Sequence, residues 1–312
     1  MASVATVTDP PVAPGVPPAR EEVYRAFARH LATRAAHTRS AYLRDVAQLL
    51  SLAADTPPQA LTRAQVSRCL ATLHGRGLSG RSLARMLSAW RALFRYLLET
   101  DRTMRDDPSA GLKAPKSAKR LPSTLTPDEA AKLVAIDGDD DRSLHDRALI
   151  ELAYSSGLRL SELSGLDVDR LDLDGGEVRV LGKGSKERIV PVGAPARSAL
   201  AAWLAKRQAL AAKGETALFV GPRGARLSPR TIERRLAAWA IRQGLHRHVH
   251  PHMLRHSFAS HVLQSSGDLR AVQEMLGHAS IASTQVYTHL DFQALAKVYD
   301  AAHPRARRKR TP

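Results

Sequence analysis

Cysteine is nearly absent from this sequence, since Cys69 is the only one among 312 residues. A single cysteine excludes an internal disulfide bond and a zinc site built from several cysteines. Long apolar runs are absent too, because no stretch approaches the roughly 20 residues of a membrane-spanning helix. The first 20 residues also lack a basic start followed by an apolar segment, so we predict no secretion signal and expect a cytoplasmic protein.

Acidic residues are scarce relative to basic ones. Asp and Glu number 30 against 47 Lys and Arg, which gives a formal net charge of +17. An imbalance of this size is typical of a protein whose partner is a polyanion. Because no membrane segment is predicted, we expect that polyanion to be a nucleic acid and no membrane to be bound.

The length of the chain favours two domains, because 312 residues exceed what one hydrophobic core usually serves. Residues 1–18, rich in Pro, Ala and Val, are predicted to be a disordered leader. Residues 19–106 predict an N-terminal domain of about four helices, with starts at Thr38, Thr62 and Ser79, and the arginines on their outer faces either are solvated or contact phosphates. Residues 107–123, with three prolines, three lysines and one arginine, predict a basic, semi-rigid linker.

Residues 124–302 predict a second domain that is mainly helical and carries a small β-hairpin. Thr126 and Glu129 have the spacing of a capping box, and a helix is predicted from Leu144 to Ser156. Val and Ile alternate on both sides of "GKGSK", which predicts a hairpin with Lys183 at its tip. Further helices are predicted from Pro195, Pro229, Pro251 and Asp268. The basic residues 303–312 are expected to form a disordered tail.

The "GKG" segment resembles a phosphate-binding P-loop only superficially. That motif needs a glycine five residues before the Gly-Lys pair and Ser or Thr after it, whereas Glu177 and Gly184 stand there. Its predicted place in a hairpin, rather than between a strand and a helix, also argues against a P-loop. Lys183 is therefore either an ordinary turn residue or a catalytic residue, and exposed lysines on turns are more often the former.

Histidines alternate through residues 246–252 and raise the question of a metal site. No Cys, Asp or Glu nearby completes a ligand set, and Pro251 predicts a helix start within the segment. His252 and Arg255 then share one face of the first helical turn, away from an apolar stripe of Leu254, Phe258 and Val262. Free N–H groups and the helix dipole favour an anion there, so a phosphate group fits better than a metal ion.

Five short motifs in a fixed order, which carry six residues of interest, resemble the tyrosine recombinase, or lambda-integrase-like, family from about Thr38 to the C-terminus. They are "GLRLSEL", "GKGSKER", "HMLRHSFASH", "LGHASIASTQ" and "VYTHL", and they contain Arg159, Lys183, His252, Arg255, His278 and Tyr287. Alone, Tyr287 would most often be a half-buried packing residue. The resemblance instead implies that these six residues form one catalytic set.

The family's chemistry implies that Tyr287 attacks a DNA phosphate and forms a 3′-phosphotyrosine link. Arg159 and Arg255 would bind the non-bridging oxygens, because guanidinium forks match them bidentately. Lys183 would protonate the leaving 5′-oxygen, and Glu162, three residues after Arg159 on the same short helical segment, would help to orient the site. The phosphotyrosine conserves the energy of the broken bond, so the resemblance implies no ATP, no metal and no other cofactor.

The resemblance also implies a two-domain clamp around double-stranded DNA half-sites. The C-terminal segment is most similar to recombinases that resolve bacterial chromosome dimers, which implies a paralogous partner in a heterotetrameric synapse and a cell-division DNA translocase. An amphipathic helix from Asp291 would either pack on its own domain or, as the resemblance favours, dock on a neighbouring protomer. Alternatives are a phage- or integron-type integrase, a type IB topoisomerase, a sequence-specific DNA-binding protein and a metal-dependent nuclease.

Overall fold

The structure is a computed structural model that describes residues 10–53, 56–116, 124–182, 187–277 and 298–304. The chain divides into two compact units, residues 1–120 and residues 121–312. Each unit has its own hydrophobic core. Within the described ranges, every helix is too short or too polar to cross a membrane.

Four α-helices form the first unit. They are α1 (Glu21–His30), α2 (Ala36–Leu52), α3 (Arg63–Gly75) and α4 (Gly80–Thr100). Thr62 and Ser79 cap α3 and α4 as predicted, each accepting a hydrogen bond from a backbone N–H three residues later. The start predicted at Thr38 is wrong, because α2 begins at Ala36. Alanine has the highest helix propensity and extends the helix without a side-chain cap.

The edges of the first unit differ from the predicted boundaries. Val16, inside the predicted leader, is buried in the core, so the apolar side chain orders the chain before residue 19. Residues 107–116 of the predicted linker lie against the same unit, and Arg91 Nη2 donates to the Leu112 carbonyl at 2.6 Å. Residues 1–9 and 117–123 lie outside the described residues.

Helices dominate the second unit, as predicted. They are α5 (Pro127–Val134), α6 (Asp141–Ser156), α7 (Leu160–Gly165), α8 (Ala194–Leu210), α9 (Pro229–Arg242), α10 (Pro251–Ser266) and α11 (Leu269–Leu276). A three-stranded antiparallel sheet runs β1 (Leu171–Asp172), β2 (Glu177–Leu181) and β3 (Glu187–Pro191). The mainly helical fold with a small sheet is therefore confirmed.

Local signals place most of these elements correctly. The Thr126–Glu129 capping box is present at the start of α5. Helix α6 begins three residues before the predicted Leu144, because the Asp140 carboxylate accepts from two free backbone N–H groups. Gly157 ends α6 in the left-handed conformation, at φ 55°. The predicted strands pair with Val180 opposite Arg188, while residues 183–186 lie outside the described residues.

Helix α6 is buried on nearly all sides and packs against α8 and α10. Residues 298–302 are helical and pack on this same unit, with Tyr299 and Ala302 in a core formed with α10 and α11. Tyr299 Oη lies 2.7 Å from Ser155 Oγ on α6. The described end of the chain thus lies on its own domain, and His303, predicted to belong to a disordered tail, is buried.

Candidate active site

The site forms where α6 ends and α7 begins. Gly157 turns the chain out of α6, and Arg159 is the N-cap residue of α7. The backbone N–H of Arg159 donates to Glu162 Oε2 at 2.7 Å, and its Nη1 donates to Glu162 Oε1 at 2.7 Å. Its Nη2 donates to the Gly277 carbonyl at 3.1 Å, which ties α7 to the end of α11.

Glu162 is the buried acceptor at the centre of the site, with 8% of its surface exposed. Besides Arg159, it accepts from Arg188 Nη1 at 2.7 Å and Nη2 at 2.9 Å. Burial alone would raise the pKa of this carboxyl, but the hydrogen bonds and positive charge of Arg188, with those of Arg159, lower it to about 2. Glu162 is therefore an anion at neutral pH, consistent with the orienting role predicted for it.

Arg255 is buried, and the prediction that it points away from the core with His252 is wrong. Only 4% of its surface is exposed. Its Nη1 donates to the Gly157 carbonyl at 2.7 Å and its Nη2 to the Leu276 carbonyl at 2.5 Å. These carbonyls lie at the C-terminal ends of α6 and α11, where free acceptors and the negative end of the dipole stabilise a cation. Glu162 Oε2 lies 4.0 Å from Arg255 Nη1.

Burial lowers the pKa of Arg255 to about 10, with nearby Arg159 adding to the effect. The guanidinium still carries its charge at neutral pH. Three guanidinium groups therefore surround one carboxylate, and this part of the described structure holds a surplus of two positive charges. Such a surplus favours binding of an anion with one or two charges.

His252 lies in the first turn of α10, as predicted, with its side chain exposed. Its Nε2 lies 2.9 Å from Nε2 of His256, so one ring donates and the other accepts. Partial burial and the neighbouring His256 and Arg255 lower the pKa of His252. A neutral imidazole at this position can accept a proton.

The alternating histidines have separate structural explanations. His250 Nδ1 accepts from the Met253 backbone N–H at 3.2 Å and caps α10. The rings of His248 and His250 lie 6.0 Å apart and those of His250 and His252 lie 6.4 Å apart, centroid to centroid. Across the residues that the structure describes, no three His, Cys, Asp or Glu side chains converge as a metal site.

Arg188 is the site residue that sequence reasoning missed. It lies on β3, is 5% exposed, and donates through Nε to the Met275 carbonyl at 3.0 Å as well as to Glu162. The sequence could have indicated its burial, because side chains of a strand alternate between faces and Arg188 lies on the same face as buried Val190. A charged residue at an inward position requires a buried partner.

The structure brings Arg159, Glu162 and Arg255 together and places His252 at the start of the same helix as Arg255. Lys183, His278 and Tyr287 lie outside the described residues. Gly277, which precedes His278, is described, and its carbonyl is the acceptor for Arg159 Nη2.

Two family models match the chain. Residues 123–294 match the phage integrase family, and residues 25–100 match the N-terminal SAM-like domain of phage integrases. The chain belongs to the phage integrase family. The resemblance inferred from the five motifs is therefore confirmed.

Relatives from two bacteria show which members of the phage integrase family this chain resembles. The tyrosine recombinase XerC of Chromobacterium violaceum is 51% identical over 295 residues, covering 94% of this chain and 98% of the relative. XerC of Pseudomonas aeruginosa is 55% identical over 293 residues, covering 91% and 95%. The chain is thus a XerC-like tyrosine recombinase.

A solved structure supports the same fold. The crystal structure of the XerH site-specific recombinase, bound to its difH substrate in a pre-cleavage complex, matches with a TM-score of 0.65 and 26% identity. The match covers 88% of this chain and 82% of the XerH chain.

Proposed function

We propose that this chain is a site-specific recombinase that resolves chromosome dimers by cutting and rejoining DNA through a 3′-phosphotyrosine on Tyr287. The observation that carries the proposal is the buried cluster of Arg159, Arg188, Arg255 and Glu162. Its surplus of two positive charges suits a phosphodiester, which carries one negative charge. The surplus suits the attacked phosphate better still, because two negative charges develop on its non-bridging oxygens.

The magnitude of the barrier makes this electrostatic fit important. Cleaving a phosphate ester can require a barrier reduction on the order of 20 kcal/mol. Arg159 and Arg255 are held in place before substrate binds, by carbonyls at the ends of two helices and by Glu162. Groups that are already oriented toward the developing charge need not reorganise during the reaction.

The proton transfers are assigned to the remaining residues of the set. Tyr287, with an ordinary pKa near 10, is only about 0.1% ionised at neutral pH and needs a base, for which neutral His252 or His278 is suited. Tyr287 Oη forms a bond to phosphorus as the bond to the 5′-oxygen breaks, and Lys183 protonates that oxygen. Attack of a 5′-hydroxyl on the phosphotyrosine reverses these steps, so no ATP or metal enters the balance.

The proposed partners rest on the family resemblance inferred from the sequence. As a XerC-like enzyme, the chain would act with a XerD-like paralogue in a four-subunit synapse, under control of a cell-division DNA translocase. Residues 19–106 and 124–302 would grip each DNA half-site from two sides. A phage- or integron-type integrase would act at other sites, and a type IB topoisomerase would rejoin the same two ends.

Tyr287→Phe tests the proposal directly. Wild type and variant are mixed, in EDTA, with a duplex that carries the host's chromosome-dimer resolution site and a nick that lets the cut fragment diffuse away. A heat- and detergent-stable protein–DNA adduct on a denaturing gel, formed by wild type alone, supports the proposed chemistry. Salt-sensitive binding without any adduct, with the paralogue and the correct site supplied, would favour a DNA-binding protein without catalytic activity.

A further inference from the structure

Arg188 joins three segments that are far apart in the sequence. It extends from β3 and donates two hydrogen bonds to Glu162 at the start of α7 and one to the Met275 carbonyl in the last turn of α11. The Arg188 side chain is 5% exposed. All three hydrogen bonds therefore form out of water, where a misplaced or missing partner has the largest effect.

The packing around Arg188 leaves little freedom. At Gly277, where φ is 61°, a Cβ atom would lie 3.0 Å from Arg188 Cδ and 3.2 Å from its Nε. The end of α11 is thus packed closely against Cδ and Nε of the Arg188 side chain. The same glycine provides the carbonyl that accepts from Arg159 Nη2. Moving Arg188 would therefore shift both the carboxylate and the carbonyl that hold Arg159.

We propose that Arg188 is a positioning residue for strand transfer, which fixes Arg159 through Glu162 and the α11 terminus without touching the DNA phosphate. This inference rests on the proposed function. The Arg188 side chain is only 5% exposed, whereas the Arg159 side chain is 35% exposed. Arg188 is therefore the less accessible of the two guanidiniums. Arg188 is the only member of the buried cluster, among the described residues, that donates to both carboxylate oxygens of Glu162 through its guanidinium.

Arg188→Lys and Arg188→Gln separate positioning from folding. A lysine ammonium cannot reproduce the planar fork that reaches both oxygens and the Met275 carbonyl together. The matched control is Arg170→Gln, because Arg170 forms a surface ion pair with Glu187, the neighbour of Arg188 on β3. Each full-length protein is compared for urea unfolding, half-site binding by anisotropy, and single-turnover adduct formation on the nicked duplex.

The positioning role predicts half-site affinity within about threefold of wild type and cleavage slowed about 100-fold, as expected for a catalytic group displaced by roughly 1 Å. Arg170→Gln should bind and cleave as wild type does. If Arg188→Gln does not fold, the lysine variant decides the outcome. Cleavage at the wild-type rate by a folded variant, or a loss that only parallels weaker binding, would overturn the proposal.

Two further readouts distinguish positioning from charge alone. In Arg188→Gln the buried Glu162 loses the cation that lowers its pKa, so that pKa rises, and the ratio of variant to wild-type cleavage should fall as pH is lowered. The double variant Arg188→Gln/Glu162→Gln restores the surplus of two positive charges but not the hydrogen bonds. The positioning role predicts that it stays at least about tenfold slow, since Arg159 loses the Glu162 carboxylate and keeps only the Gly277 carbonyl, whereas cleavage at the wild-type rate by the double variant would refute that role.

The result with the wild-type protein distinguishes failure of the proposed function from failure of the Arg188 proposal. If wild type forms no adduct with site and paralogue present, the proposed function fails, and the Arg188 proposal is then measured through orthovanadate binding. Weaker vanadate binding by Arg188→Lys, by about tenfold or more, still supports positioning of the anion-binding guanidiniums. Equal binding by wild type and variant overturns it.

Discussion

Replacing Glu162 by Gln tests whether the buried cluster is already assembled in the free protein. The substitution keeps the volume of the side chain but removes the negative charge. Glu162 now accepts four hydrogen bonds, two from Arg159 and two from Arg188. Glutamine has one acceptor oxygen, so its amide N–H₂ must face two of those donors, and the three guanidiniums are left without a counter-charge.

The size of the effect can be taken either from the hydrogen bonds that Glu162 accepts or from the pKa that those bonds lower. Losing two hydrogen bonds to a charged group costs about 1.5–3 kcal/mol each. Separately, a carboxyl whose pKa is about 2 when folded, against an ordinary 4.5, stabilises the folded state by on the order of 3 kcal/mol at neutral pH. We therefore expect Glu162→Gln to lower the free energy of unfolding by about 3–5 kcal/mol, the range for a broken buried ion pair.

The assay is urea unfolding of the full chain at pH 7, followed by intrinsic tryptophan fluorescence, to which Trp203, fully buried in the second unit, contributes. Glu187→Gln is the control, because its surface pair with Arg170 should contribute at most about 1 kcal/mol. A loss below about 1 kcal/mol in Glu162→Gln would refute the reasoning, since the carboxylate would then not be the anchor of a buried cluster.

The pH dependence gives a second check with a definite sign. Because the folded pKa of Glu162 lies below the unfolded one, its contribution is fully present above about pH 4.5 and is lost as pH falls toward 2. The stability difference between wild type and Glu162→Gln should thus be constant near neutrality and shrink in acid. A difference that stays the same down to the acid limit of folding would contradict the assignment of charge to Glu162.

Three further outcomes are expected. Gly157→Ala should destabilise the second unit by about 2 kcal/mol or more in urea, because φ is 55° there and a Cβ would lie 2.4 Å from Phe258 Cδ1; wild-type stability would contradict this geometry. Tyr299→Phe should cost about 1 kcal/mol in thermal unfolding by removing the hydrogen bond to Ser155, and no change would mean that this contact does not persist in solution. Half-site affinity should fall by about three orders of magnitude between 50 and 200 mM salt, measured by anisotropy, whereas a flat response would exclude binding dominated by phosphate contacts.

Local elements of this protein were predictable because their causes lie within a few residues. Thr62, Ser79 and Thr126 each satisfy backbone N–H groups three residues ahead, so helix starts are readable from the sequence. The alternation of Val and Ile likewise predicted the two strands of the hairpin. The five short motifs, in their order along the chain, were enough to predict the family, which the family match confirms.

Only the tertiary structure decided which charged groups are buried together. Arg255 reaches the Gly157 carbonyl across 98 residues, and Arg159 reaches the Gly277 carbonyl across 118. Helical periodicity placed Arg255 beside His252 but could not reveal that two helix ends supply carbonyls to accept from it. The strand period places Arg188 on the buried face, but it likewise could not reveal its partners, Glu162 and the Met275 carbonyl. A charge is buried only where distant partners satisfy it, and those partners are brought into contact by packing rather than by spacing in the chain.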